Sequence, residues 1–241
     1  MDIDELKTTL ALHLCDASQL KQPDTLPTGF AAIDRFLFGG GLPKGQLTLF
    51  KGALGKGSTS LWIETATLLL ASGRRAVWIN HDIPLSPLPL KQKGLDLNRL
   101  ISIETPENEK QLFWILQQLM ASSLFDLIGC DLGRFSLREH QLRKLQIQAR
   151  QTNTCLVFLS DEQKLQQGNL VTLFSVILRF EKRQIVIERA SHRPTPHPIS
   201  RSLSYDRFTH HTTDHLNSSD RAPAEQIREG TRNRANSRDS T

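Results

Sequence analysis

The sequence is poor in cysteine. Its 241 residues include three, Cys15, Cys130 and Cys155, odd in number and far apart. None has metal-ligand spacing, so the pattern reads as reduced thiols in a cytosolic protein, with no metal site expected. Long apolar runs are missing too: no stretch reaches the roughly 20 residues that a membrane-crossing helix needs. The opening MDIDELKTTL is acidic and has no apolar core of a secretory leader. A cytoplasmic location without a membrane partner is therefore the expectation. A strong excess of one charge is also absent, with 30 Lys+Arg against 25 Asp+Glu and a net charge of +5. Such a balance permits contact with nucleic acid but does not demand it. Hydrophobic residues make up 38% of the chain, low for a fully folded one, so part of it is expected to be disordered.

What is present falls into three segments. Residues 1–23 hold a short helix and a linker. DIDELKTTLALHLCD carries Asp2, Asp4 and Glu5 at its start, where a helix is electropositive, and Ile3, Leu6, Leu10 and Leu14 at roughly helical spacing. Pro23 and Pro27 then interrupt the chain. Residues 24–193 alternate short apolar runs with helical patterns. QLTLFK, RAVWIN, Leu100–Glu104, FDLIGCD and TCLVFLS read as strands. Residues 59–72, 108–121 and 136–150 read as helices, the last opened by Ser136 as N-cap with Glu139 three residues on. Two closing strands, about 173–180 and 184–189, are joined across Glu181–Arg183. The pattern predicts an α/β fold: a mostly parallel sheet flanked by helices, ending in an antiparallel hairpin. Trp62, Trp78 and Trp114 sit in apolar patterns and are expected in the core. Residues 194–241, rich in Pro, Ser, Thr, Asn, Arg and His, are expected to form a disordered tail. From His192 onward eight Arg face six Asp+Glu, so this part carries only +2 of the net charge. Its five histidines are irregularly spaced and read as solvated filler.

One absence matters more than the others. KGALGKGSTS follows the strand QLTLFK and precedes a helix, the context of a phosphate-binding loop. Such a loop reads G-x-x-x-x-G-K-[ST]. Gly52, Gly57 and Thr59 fill their places, but Ser58 stands where the lysine belongs. The chemistry needs backbone N–H groups around the phosphates, an ammonium on the β- and γ-phosphates and a hydroxyl on magnesium. Ser58 supplies one neutral hydrogen bond and no charge. Lys56, one residue before the second glycine, belongs to the turn itself, and its side chain should leave in another direction. Nucleotide hydrolysis is therefore not expected, although a helix N-terminus can still attract an anion weakly. Asp131, at the end of FDLIGCD, stands where a magnesium-binding aspartate would. Its alternative reading is a turn former at a strand end. Asp82 has the corresponding alternatives of catalytic carboxylate and ordinary loop residue.

LPTGFAAIDRFLFGGGLPKGQLTLFKG, with its Thr-Gly, the pair Ile33 and Asp34, the cluster Gly39, Gly40 and Gly41, and Pro43 and Gly45 before the strand, resembles the RecA-like recombinase superfamily. AVWINHD, FDLIGCD and TNTCLVFLSD fall where RecA-type cores place their next functional strands. The resemblance covers roughly residues 24–192. Departures from it are the missing lysine, Asp82 in the place of a water-activating glutamate, and Asp161 in the place of a sensor glutamine. The two segments matching DNA-binding loops, LGRF and DEQKLQQGN, are short.

This degenerate pattern resembles the ImuA family, RecA-like accessory factors of the damage-inducible mutasome. TLPTGFAAIDRFLFGGGLPKGQL and HQLRKLQIQAR carry that likeness. The middle region also resembles the SulA cell-division inhibitors, which are shorter and lack the glycine-loop portion. The ImuA resemblance implies a non-catalytic protein of SOS-induced translesion synthesis that needs no cofactor. Its implied partners are RecA, an ImuB-type polymerase-like protein and, through the complex, a DnaE2-type polymerase, with DNA contact weak or indirect. Leu6, Leu10 and Leu14 are the candidate RecA-docking helix. Arg179, Lys182, Arg183, Arg189 and Arg193 are the candidate basic contact surface. Arg138, Arg143, Lys144 and Arg150 read as a solvated helix face or a partner surface. The alternatives are a SulA-like inhibitor of the tubulin-like division protein and a DNA-dependent ATPase.

Overall fold

The computed structural model describes residues 24–53, 55–81, 84–161, 168–181, 184–190 and 202–204. The proposed N-terminal helix with Leu6, Leu10 and Leu14 lies outside them, as do Asp82, Lys182, Arg183 and Arg193. The chain divides into Met1–Ser204 and Tyr205–Thr241, and the second unit also lies outside the described residues.

Two short strands, β1 (Thr25–Leu26) and β2 (Leu42–Pro43), pair antiparallel around a helical turn, α1 (Ala31–Asp34). The main elements follow as β3 (Leu47–Lys51), α2 (Ser58–Ala71), β4 (Ala76–Ile79), α3 (Pro87–Gln92), β5 (Leu100–Ile103), α4 (Glu109–Ala121), β6 (Leu127–Asp131), α5 (Glu139–Thr152), β7 (Cys155–Ser160), β8 (Val176–Phe180) and β9 (Gln184–Ala190). The sheet order is β10-β9-β8-β3-β7-β6-β4-β5, where β10 is Ser202–Ser204. From β8 to β5 every pair is parallel, and β8–β9 and β9–β10 are antiparallel. The expected α/β architecture, with its parallel sheet and closing hairpin, is the one found.

Side-chain alternation assigns the two faces. Leu47, Leu49, Val77, Ile79, Ile128, Cys130, Leu156 and Phe158 share one core with Leu112, Leu116 and Met120 of α4 and Leu142, Leu145 and Ala149 of α5. Residues one position along the strands face the other way, as period-two geometry requires. There Trp78 meets Trp62 of α2 at 4.6 Å between ring centroids. The strands read as continuous apolar runs because helices cover both faces.

Three expectations need correction. The helix after β6 is capped by Arg138, not Ser136. Leu137 is buried and holds the chain extended past the serine, and Gln141 Oε1 then accepts the Arg138 N–H at 2.8 Å. Trp114 is 60% exposed, whereas Trp62 and Trp78 are buried. Leu112, Leu116 and Met120 already supply the buried stripe of α4, and Trp114 lies across the helix from it. Residues 202–204, expected in a disordered tail, form a third antiparallel strand against β9. Val186 and Ile185 of β9 present paired backbone there that composition alone does not reveal.

Asp34, part of the glycine-rich signature, is a structural residue. Its Oδ1 accepts the Thr28 N–H at 3.0 Å and the Thr28 hydroxyl at 2.8 Å. Burial raises the Asp34 pKa above its usual value, against the lowering effect of the hydrogen bonds from Thr28 and Gly29. The folded state thus holds this proton more tightly than the unfolded chain. Its contribution to stability is complete below the unfolded pKa and is lost as pH rises through the folded one. Asp34→Asn, which keeps the acceptor, should be no less stable than wild type at neutral pH and should lose ground relative to it as pH falls. Asp34→Ala orphans the buried Thr28 donors and should cost about 1–3 kcal/mol. Urea midpoints for both variants across pH check this.

Candidate functional site

The carboxyl ends of β3, β7 and β6 stand level. Lys51 is in register with Ser160, and Leu159 with Asp131. The glycine loop leaves β3 at this edge, and the Gly52 N–H donates to the Ser160 carbonyl at 3.0 Å. A Cβ on Gly52 would lie 2.9 Å from both Cβ and O of Phe180, so the end of β8 presses against the start of the loop. The loop closes on Gly57, whose φ of 100° is left-handed and disfavours a side chain. Gly57 then caps α2, and the first helical bond runs from the Leu61 N–H to the Gly57 carbonyl at 3.0 Å. The amides ahead of that bond sit at the positive end of the helix.

Ser58 is the first residue of α2 and is 8% exposed; Thr59 beside it is half-buried. The phosphate-loop pattern calls for a lysine in that place. Instead a hydroxyl stands there. Lys56 is half-buried, and its backbone N–H is bonded to the Ala53 carbonyl at 3.2 Å. This tight turn takes one amide away from any anion.

Lys51, the last residue of β3, is buried, and its Nζ lies 2.7 Å from Glu188 Oε2. The other Glu188 oxygen is 2.8 Å from Arg179 Nε, and Arg179 also pairs with Glu181. Glu188 lies where a register shift interrupts the β8–β9 ladder between Ile177 and Leu178. The sequence reading missed this network because Lys51 stands more than a hundred residues before the hairpin that carries its other members. Arg179 of the candidate basic surface is therefore held by carboxylates, and Arg189 donates to the Val171 carbonyl at 3.0 Å.

Asp131 ends β6, with β7 between it and the glycine loop, so β3 and β6 run about 10 Å apart at ordinary strand spacing. Its Oδ1 accepts the Gly133 N–H at 3.1 Å, closing a turn. His81, at the end of β4, was not singled out in the sequence. Its Nε2 accepts the Arg134 N–H at 3.1 Å, and its ring stands edge-on to Phe135. WINHD at a strand end was the available signal. Asn80 is structural: it donates to Ser102 Oγ and the Ile103 carbonyl and accepts from the Leu85 N–H. An open cavity of about 620 Å³ lies on Glu107, Asn108, Glu109, Lys110, Arg134 and Phe135. Among the described residues, none of the glycine loop lines it.

Cys130 and Cys155 are free and buried. Burial raises both thiols, Cys155 to about 12, so neither is a thiolate nucleophile at neutral pH. Among the described residues no group of three or more His, Cys, Asp or Glu could hold a metal ion, and no helix is long and apolar enough to cross a membrane.

A glycine loop between the central strand of a parallel sheet and its helix, with an aspartate two strands away, defines a phosphate-loop α/β domain of the recombinase type. The family model of the RecA N-terminal domain matches residues 7–134, more than half of the chain, and the chain belongs to that family. It is 31% identical to Protein RecA of Synechocystis over 120 residues, which is 50% of this chain and 33% of that one. It is 29% identical to Protein RecA of Aquifex aeolicus over 159 residues, 58% of this chain and 46% of that one. The chain thus spans between a third and a half of the length of these relatives. The crystal structure of the RadB recombinase superposes with a TM-score of 0.57 at 24% identity, covering 74% of this chain and 95% of that one. It shares the fold.

Proposed function

We propose that the chain is a non-catalytic RecA-like accessory protein of SOS-induced translesion synthesis, of the ImuA type. It acts by docking onto RecA and an ImuB-type partner, and through that complex reaches a DnaE2-type polymerase. One observation carries the reading: a buried serine, Ser58, occupies the first helical position after the glycine loop. A neutral hydroxyl there cannot balance phosphate charge, whereas hydrogen bonds to charged groups are worth about 1.5–3 kcal/mol each. The scaffold survives as a surface for partners. RecA as a relative and the motif resemblance support the partner class.

Phosphate release from ATP, measured with and without single-stranded DNA, should stay at background. Ser58→Lys in the full chain should raise affinity for a fluorescent Mg-ATP analogue by about tenfold or more, the equivalent of one charged hydrogen bond. Steady turnover by the wild-type chain, lost in both Thr59→Ala and Asp131→Ala, would establish an ATPase instead. Immobilised chain should retain RecA and the ImuB-type protein. Retention of the tubulin-like division protein alone would favour a division inhibitor.

A further inference from the structure

The outward face of α4 and α5 has an organisation that neither the sheet nor the glycine loop explains. Each helix buries one stripe, Leu112, Leu116 and Met120 on α4 and Leu142, Leu145 and Ala149 on α5. The two helices lie side by side, and Lys144 Nζ of α5 stands 5.9 Å from the ring centroid of Phe113 on α4. Trp114 is the residue next to Phe113, and Ile147 lies one turn beyond Lys144. They are 60% and 57% exposed. The helix pair thus exposes two large apolar side chains, an indole and a branched aliphatic, on the side away from its buried stripes.

Cations outnumber carboxylates on the two helices, Lys110, Arg143, Lys144 and Arg150 against Glu109 and Glu139. Glu109 and Glu139 are the first residues of their helices, and neither helix has another carboxylate. Glu109 is engaged with the Ser136 N–H at 2.9 Å, and Glu139 with Arg143 at 2.6 Å. Lys110, Lys144 and Arg150 have no carboxylate on their own helix beyond those two. Exposed apolar anchors on helices with an excess of cations fit the plan of a protein interface, in which Trp and Arg carry most of the binding energy.

We propose that the α4–α5 face docks an acidic amphipathic helix of a partner protein, with Trp114 and Ile147 under its apolar side and Lys144 and Arg150 against its carboxylates. A nucleic acid fits less well. Ile147 offers no stacking surface, Lys144 lies over Phe113, and Arg143 is already paired. This deepens the reading of the chain as a docking module, and it stands or falls separately. ATP turnover by the wild-type chain would end the accessory reading and leave the peptide result untouched.

The test uses the full chain and a fluorescein-labelled synthetic peptide of about 18 residues, long enough to hold a helix. The peptide carries Leu at i, i+3, i+4 and i+7 and Glu elsewhere. Anisotropy should show saturable binding. Trp114→Ala, and separately Lys144→Glu with Arg150→Glu, should each weaken binding by about tenfold. A scrambled peptide of the same composition should bind at least as weakly as those variants. Both sites are exposed, so thermal midpoints should match wild type and separate lost binding from lost folding. Unchanged affinity in both variants overturns the proposal. So does an oligothymidylate that binds and loses affinity with the same substitutions, which would give the face to nucleic acid. Self-association abolished by Trp114→Ala in sedimentation would give it to a second copy of the chain, and that too overturns the proposal.

Discussion

Gly129→Ala should destabilise the domain by about 3 kcal/mol, the upper range for forcing atoms into a filled core. A Cβ at this position in β6 would lie 2.4 Å from Trp62 Nε1, 2.5 Å from Trp62 Cε2 and 2.6 Å from Trp78 Cε3. Both indoles are buried, and the interior around them leaves no free volume into which either can retreat. The glycine is thus the third partner of the tryptophan pair: its missing side chain is the space the Trp62 ring fills. Urea unfolding should show a lower midpoint at an unchanged slope. Trp62→Phe removes the atoms nearest the added methyl group. In the Gly129→Ala background it should therefore cost much less than it does alone, a non-additivity of about 1–3 kcal/mol. A midpoint within error of wild type for Gly129→Ala would show that the two rings do not hold this geometry.

Glu188→Ala should cost about 2 kcal/mol, below the range for breaking a fully buried ion pair because Glu188 is partly exposed. The carboxylate bridges Lys51 and Arg179 at 2.7 and 2.8 Å. Its loss strands the Lys51 ammonium, whose side chain is only 10% exposed, beside a second cation. Lys51→Met combined with Glu188→Leu removes both charges and should recover most of that loss, since apolar replacement of a buried pair is often neutral. The pair of results separates the cost of an orphaned charge from that of lost packing. If the double variant is as unstable as Glu188→Ala, the loss does not come from a stranded Lys51 ammonium.

Much of this molecule was legible one segment at a time. The strand QLTLFK, the glycines and the helix after them follow from local pattern, and β3 and α2 start and stop within a residue or two of the expectation. So does the parallel character of the sheet, since helices separate most of its strands. The candidate site was legible to the same depth. Ser58 in the lysine place is a fact of spelling, and Asp131 at a strand end a fact of position. The turn that engages Asp131 was only one of two readings. The Ser136 cap failed because the capping pattern weighs side chains against local backbone, and the burial of Leu137 outweighed it.

Sequence by itself determined most of the strands and helices from β3 to β9, the glycine loop and the absence of its ammonium, because each depends on neighbours within a turn or a strand. Tertiary structure decided which apolar residues are core. Trp62 and Trp78 became buried because Gly129 leaves room for them, while Trp114, in an equally apolar run, faces outward because three other residues fill the stripe beneath α4. It also decided the charge network, bringing Glu188 to Lys51 across 137 positions, and the third antiparallel strand at Ser202–Ser204. Both depend on which strands become neighbours in the sheet, and no local preference encodes that choice.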